Sequence, residues 1–192
     1  MRDVMTIFAV STLVLAVACG GGEGSSDGGV INDSSQSRVV AASFTPDEPV
    51  PSDDSVAMTL VTGGVTNRVT VGVGVTGTDD VFGASFDVIY DSSSAQYVSW
   101  GRGSLLENYG QNVTYVVSEG VPGRLVVGIS CIGCPSGVNV TDSRRIVELT
   151  FTVSEPGATS LRFANASLLD SAAPNPAPIP GLNWFGGTLT GN

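Results

Sequence analysis

Three cysteines, Cys19, Cys131 and Cys134, and a scatter of carboxylates are the residues whose types could do chemistry here. The chain has no histidine, and all eight of its cationic residues are Arg. Without an imidazole, neither a Ser–His–Asp nor a Cys–His nucleophile can be assembled. Glycoside hydrolysis needs two carboxylates across a cleft, one of them with a raised pKa. Asp87 and Asp91 share strand parity, but Asp91 begins the turn DSSS, and Asp79 and Asp80 sit in the turn-like TGTDD. These acids read as turn chemistry, so the expectation is a non-enzyme. Oxygen ligands alone would suffice for calcium, yet no segment carries the alternating Asp/Asn spacing of a calcium loop. No metal or cofactor is expected.

The cysteines divide into one and two. The N-terminus, MRDVMTIFAVSTLVLAVACGGG, has one Arg and then an apolar run from Val4 to Ala18. That length and the small residues at its end fit a secretory signal better than a spanning helix. LAVAC resembles a bacterial lipobox, although Ala16 stands where Leu is commoner and Asp3 offsets Arg2. On this reading residues 1–18 are a lipoprotein signal peptide, and Cys19 becomes a lipidated N-terminus. The alternative is a soluble secreted protein whose signal happens to end near a Cys. Cys131 and Cys134 form CIGCP. In an exported protein such a pair most simply closes a local disulfide, with free thiols as the alternative. A redox motif would sit at a helix start in a βαβ context, and zinc would need two further ligands.

Charge narrows the partners. Eight cations against 18 acids give a formal net charge of −10, which argues against nucleic acid, whose phosphates call for a basic stripe. Seven of those acids and one Arg lie between Glu23 and Asp54. Residues 19–55 are rich in Gly, Ser, Asp and Pro and lack periodicity, so they read as a flexible, disordered acidic tether. Fully extended, such a tether of about 35 residues would reach on the order of 100 Å. Within it only VVAASF, residues 39–44, has the look of a short strand.

From Val56 to Asn192 the pattern changes. RVTVGVGVT places Val69, Val71, Val73 and Val75 on one face; LVVGIS and VELTFTV repeat the alternation. Period two means strands with one buried face, and TGTDD, DSSS, EGVPG, PSG and SEPG supply turns between them. VAMTLVT, RVTVGVGVT, FGASFDVIY, AQYVSW, VTYVVS, LVVGIS, IVELTFTV, TSLRF and WFGGTLT make about nine strands. The fold class expected is all-β, a two-sheet jelly-roll sandwich, with AAPNPAPIPG wrapping over one end. Trp100, at a strand end, and Tyr109 are the aromatics offered for stacking on a sugar; Tyr97, Trp184 and Phe185 are weighed beside them, against ordinary core packing. The sequons at Asn112, Asn139 and Asn165 suggest exposed positions.

The order of several motifs carries a resemblance. FDVIYDSSSAQYVSWGRGSLL is similar to the early signature of cohesin domains: an aromatic-led strand ending in Tyr-Asp, a turn, then a strand leading to a Gly-x-Leu-Leu-like segment. GRLVVGIS, IVELTFTV and SLRFANASLLD resemble later family strands in the same order, so that residues 56–192 read as one cohesin-like domain. The resemblance implies a jelly-roll sandwich and a non-catalytic module that binds dockerins, small calcium-loaded helical domains, through one flat sheet face. Aligned on Tyr90-Asp91, the positions where type I cohesins carry a recognition Asn and Asp fall on Gly83 and Ser85. Asp87 and Ile89 share their outward parity, as do Val126, Gly128 and Ser130 if LVVGIS lies alongside. These seven residues are the expected partner face, with ordinary sheet surface as the alternative.

The resulting expectation is an exported, lipid-anchored module of the bacterial cell envelope, at the outer membrane or cell surface. It would bind a dockerin-like or other envelope or secreted protein in connection with polysaccharide handling. Direct polysaccharide binding by the same fold, and a purely structural envelope lipoprotein, are the rivals. Mass spectrometry of the mature protein should find an N-terminus at Cys19 carrying acyl mass; an unacylated N-terminus elsewhere would remove the anchor.

Overall fold

The computed structural model describes residues 40–64 and 66–192. Residues 1–18, read as a signal peptide, Cys19 and residues 20–39 of the segment read as a tether lie outside these residues. Alternation explains most of the strands. On β3 (Arg68–Thr76) the four valines are buried, and on β10 (Arg144–Val153) Val147, Leu149, Phe151 and Val153 face them in the core. β8 (Arg124–Cys131) buries Leu125, Val127 and Ile129, and β5 (Gly83–Ile89) buries Ala84, Phe86 and Val88. β-branched and aromatic side chains suit such pleated, half-buried surfaces.

Two sheets enclose this core. The six-stranded sheet runs β1 (Ala42–Pro46), β13 (Gly187–Gly191), β11 (Gly157–Leu169), β5, β8 and β7 (Val113–Val121). The five-stranded sheet runs β12 (Asn183–Phe185), β2 (Ser55–Thr62), β3, β10 and β6 (Ala95–Arg102). A small ribbon pairs β4 (Thr78–Val81) with β9 (Val138–Val140). The all-β sandwich is therefore as expected, but four features differ from the reading of the sequence.

First, residues 42–46 are a strand of the sandwich, although they fall inside the segment 19–55 read as tether. Ala42 faces Gly191 in register, and Phe44 is buried. VVAASF is legible as a short strand, but three alternating apolar residues, Val40, Ala42 and Phe44, are too few to show that it closes an edge of the core. Secondly, WFGGTLT is two strands. The chain changes sheets at Gly186, where a Cβ would lie 2.1 Å from the Leu161 carbonyl oxygen, so only glycine permits the crossing. Thirdly, TSLRF extends to Leu169 through a bulge at Asn165, whose φ is +49°. Asn tolerates that left-handed conformation better than most residues. Fourthly, TGTDD, read as a turn, supplies β4.

Aromatic rings join the sheets. Trp184 of β12 packs on Phe163 of β11 with centroids 5.0 Å apart and on Phe86 of β5 at 5.8 Å. Tyr90, just past β5, meets Phe151 of β10 edge-on at 5.2 Å. The Pro-rich loop folds back on β11, with the Ile179 N–H donating to the Leu168 carbonyl at 2.9 Å.

Asp80 fastens the end of the sandwich. Its carboxylate accepts from the Gly137 N–H at 2.9 Å and from the Ser171 hydroxyl and N–H at 2.7 and 3.1 Å. These donors, the Ser171 hydroxyl foremost, hold its carboxyl below the ordinary range. A depressed folded-state pKa stabilises the fold above the unfolded value, about 4, and that contribution fades as pH falls through the folded value. Asp80→Asn should lower the melting temperature at pH 7 by on the order of a few degrees. The difference from the parent should shrink in melts recorded toward pH 3; a gap constant across that range would refute the role of the charge.

Candidate functional site

The outward residues of β7, β8, β5 and β11 form a grid that can be read from the pairing. Val121, Arg124, Ile89 and Arg162 make one row across the four strands; Ser118, Val126, Asp87 and Ala164 make the next. Val116, Gly128, Ser85 and Ser167 follow, and Thr114, Ser130, Gly83 and Leu169 complete it. All seven residues expected on the partner face thus come together on one sheet, with the parity expected. Their accessibility is uneven. Val126 is 39% exposed and Val116, which sequence reasoning missed, 55%, whereas Gly83 and Asp87 are buried.

Each buried member has a physical reason. A Cβ on Gly83 would lie 2.7 Å from the Ile129 carbonyl oxygen of β8, so no larger residue fits without moving that strand. A recognition side chain is therefore unavailable where type I cohesins are expected to carry one, and Ser85 beside it offers only a hydroxyl. Asp87 is 4% exposed. Its Oδ2 accepts from Arg124 Nε and Nη2 at 3.0 and 2.8 Å and from Asn165 Nδ2 at 2.7 Å. A carboxylate out of water needs such partners, and here all three donors converge on one oxygen, Oδ2, of a side chain that is almost entirely buried. Asp87 is a lock under the face rather than a contact on it.

The hairpin between β7 and β8 is fixed by a second cluster, in which buried Tyr90 and Gly123 meet the exposed Glu119. Glu119 accepts from the Tyr90 hydroxyl and from the Gly123 N–H, the latter at 3.0 Å. Burial, then Glu119, push the Tyr90 phenol well above its usual range, so it remains a neutral donor. Gly123 takes φ +84° and its carbonyl accepts from the Tyr90 N–H at 2.9 Å. EGVPG thus gives the face a rigid end.

The aromatics named for sugar stacking are elsewhere and differently used. Trp100 lies at the edge of the five-stranded sheet, stacked on Tyr115 of β7 with centroids 5.3 Å apart and planes at 24°. The Arg102 guanidinium is 5.2 Å from the centroid of the same Tyr115 ring. One face of the indole is covered, and the pair closes the open side of the sandwich. Tyr109, in the 3-10 turn Glu107–Asn112, packs against the core and donates its hydroxyl to the Ser136 carbonyl at 3.0 Å. Trp100 remains 37% exposed, so it keeps an accessible side while its stack on Tyr115 joins the two sheets at the open edge. Cys131 and Cys134 are joined, at the end of β8. Among the described residues, no three thiol or carboxylate residues gather as a metal site.

Residues 55–175 match the cohesin domain family. The chain belongs to the cohesin family. Cohesin domains are non-catalytic binding modules, known for binding dockerins. No curated protein sequence matches the chain. Among solved structures it resembles the type II cohesin dyad from the adaptor scaffoldin ScaA of Acetivibrio cellulolyticus, with 15% identity and a TM-score of 0.60 over 71% of this chain and 48% of that one. A type II cohesin domain from the cellulosome of the same organism gives 14% identity and a TM-score of 0.55, covering 79% of this chain and 95% of the other. CaCohA2 from Clostridium acetobutylicum gives 17% and 0.50, over 70% and 90%. At such identities the likeness is one of fold. This cohesin keeps the sandwich while its outward rows carry their own chemistry.

The buried lock gives a stability prediction. Arg124→Ala should destabilise the fold by about 2 kcal/mol, since it leaves the buried carboxylate with Asn165 as its remaining donor, and Arg124→Ala with Asp87→Asn should lose less than the two single losses summed. Urea unfolding of the four proteins measures this, and additive losses would show that the pair is uncoupled.

Proposed function

We propose that this cohesin is an exported, lipid-anchored module that holds a dockerin-like protein on the outward face of β7, β8, β5 and β11. One observation carries the reading: this broad face exposes Val116 and Val126 around Gly128 and Ser85, with Arg124 and Arg162 at one end. Exposed apolar groups beside polar ones are what a protein partner covers. With Gly83 and Ser85 in place of the type I Asn and Asp, recognition rests on shape and apolar contact. The partner would be a dockerin-like domain or another envelope or secreted protein, tied to polysaccharide handling.

The anchoring part rests on LAVAC and Cys19. Because β1 belongs to the sandwich, the span from Cys19 to Arg38 is about 20 residues, which could reach roughly 70 Å when fully extended. β1 lies at the edge of its sheet opposite β7.

Binding is tested with immobilised protein against a set of purified calcium-loaded dockerins and the secreted proteins of the source cells. Val126→Glu and Val116→Glu should each weaken capture by about tenfold or more, since burying an unpaired charge opposes docking, while leaving the melting temperature nearly unchanged. Absence of any partner, or a partner held equally well by both variants, would contradict the assignment.

A further inference from the structure

The outward face of the five-stranded sheet is built on another plan. On β3 the inward positions are all valine, while two consecutive outward positions are Gly72 and Gly74; Gly101 stands outward on β6. None of the three has a left-handed φ, so no turn requires them. Strand glycine weakens a strand and often marks a place where something approaches the backbone closely. Here they leave a bare floor. Gly72 lies between Thr59 and Glu148 in register, and Gly101 lies on the far side of Glu148.

Two charged side chains lie across that floor. Arg145 Nε is 2.7 Å from where a Gly72 Cβ would stand, and Glu148 Oε2 is 3.6 Å from that of Gly101. Arg145 Nη1 and Glu148 Oε1 pair at 2.5 Å. The loop after β6 forms a wall and is tied down, with the Leu105 N–H donating to the Arg145 carbonyl at 2.8 Å and the Gly103 N–H to that of Ile146 at 3.2 Å. A Cβ on Gly103 would lie 2.1 Å from the Arg145 carbonyl oxygen, so glycine alone allows the wall to close in. The result is an open cavity of about 390 Å³, which Thr59, Ser104 and Ser143 line together with Arg102, Arg145, Glu107 and Glu148. That volume suits a small ligand or a few units of a chain.

The lining decides the ligand class. The charged residues of the lining sum to zero and are held by partners, Arg145 by Glu148, Glu107 by Arg144 at 3.6 Å and the Arg102 guanidinium by the Tyr115 ring, so the cavity is polar without a charge of either sign in excess. An anion would meet both carboxylates, and a cation both guanidinium groups. A vicinal diol donates and accepts at each hydroxyl and so satisfies both kinds of group and the three hydroxyls. We propose that this cavity binds a neutral saccharide chain. The site lies on the sheet opposite the protein-binding face, so one molecule can hold both ligands, and it replaces Trp100 as the place where sugar is read.

Affinity electrophoresis of the full chain tests this, in gels containing β-glucan, xylan, mannan or starch, with polygalacturonate as the acidic counterpart. At least one neutral polysaccharide should retard the protein, and Ser104→Trp, which fills the cavity, should weaken that retardation at least tenfold. Thr59→Trp, read in place of Ser104→Trp if the latter fails to fold, should do the same, and Val126→Glu on the other face should leave retardation intact. The proposal is overturned by mobility unchanged in all four neutral gels or by retardation in polygalacturonate alone. It is equally overturned by retardation that survives a folded cavity-filling variant, or that disappears in Trp100→Ala while Ser104→Trp retains it.

Discussion

Strand parity is the constraint on which the rest of this molecule depends. A two-sheet sandwich commits every second residue of its central strands to the core. On β5 those are Ala84, Phe86 and Val88, and on β8 Leu125, Val127 and Ile129. What remains for recognition is the other half of the same strands. The two halves answer to different demands, so the inward set can preserve the cohesin fold at 14–17% identity while the outward set changes. Gly83, Ser85 and Asp87 show what this outward set holds: one residue without room for a side chain, one hydroxyl, and one buried carboxylate held by Arg124 and Asn165.

The same division explains the aromatic residues. Rings that look available in the sequence are used to join sheets, because each sandwich edge leaves apolar surface that two facing strands cannot cover by themselves. Trp184 fills the space between β12, β5 and β11. Trp100 and Tyr115 close the side where β6 and β7 are both edge strands. Exposed Val116 and Val126 on one outward face and a glycine floor on the other are then the features left to distinguish ligands. A protein surface can press against the first, and hydroxyl groups fit the polar cavity on the second.

The sequence made the central strands legible because their alternation is long and strict. It also put Ser85, Asp87, Val126 and Gly128 on one face, since parity follows directly from period two. It marked VVAASF as a short strand but did not place it in the sandwich, because the three inward residues of β1 sit in a polar, Pro-rich neighbourhood. Nor did it separate β12 from β13, because the break at Gly186 is set by the approach of Leu161, a residue of another strand. Asn165 reached Asp87 only through a left-handed bulge, and Arg124 only through the register of a neighbouring strand. Such partners are fixed by tertiary geometry, which local pattern does not carry. The polar cavity was hidden for the same reason: RVTVGVGVT shows the glycines, but Arg145 and Glu148 come to lie over them by cross-strand pairing.

The central claim is that the outward face of β7, β8, β5 and β11 receives the protein partner. The most direct measurement is methyl NMR of the folded chain during titration with a purified calcium-loaded dockerin. Binding through this face should shift the methyl signals of Val116, Val126 and Ile89 and leave in place those of Val61 of β2, whose Cγ2 lies 3.1 Å from where a Gly72 Cβ would stand on the opposite sheet. Shifts confined to Val61 and its neighbours, with Val116 and Val126 unmoved at saturation, would contradict the account.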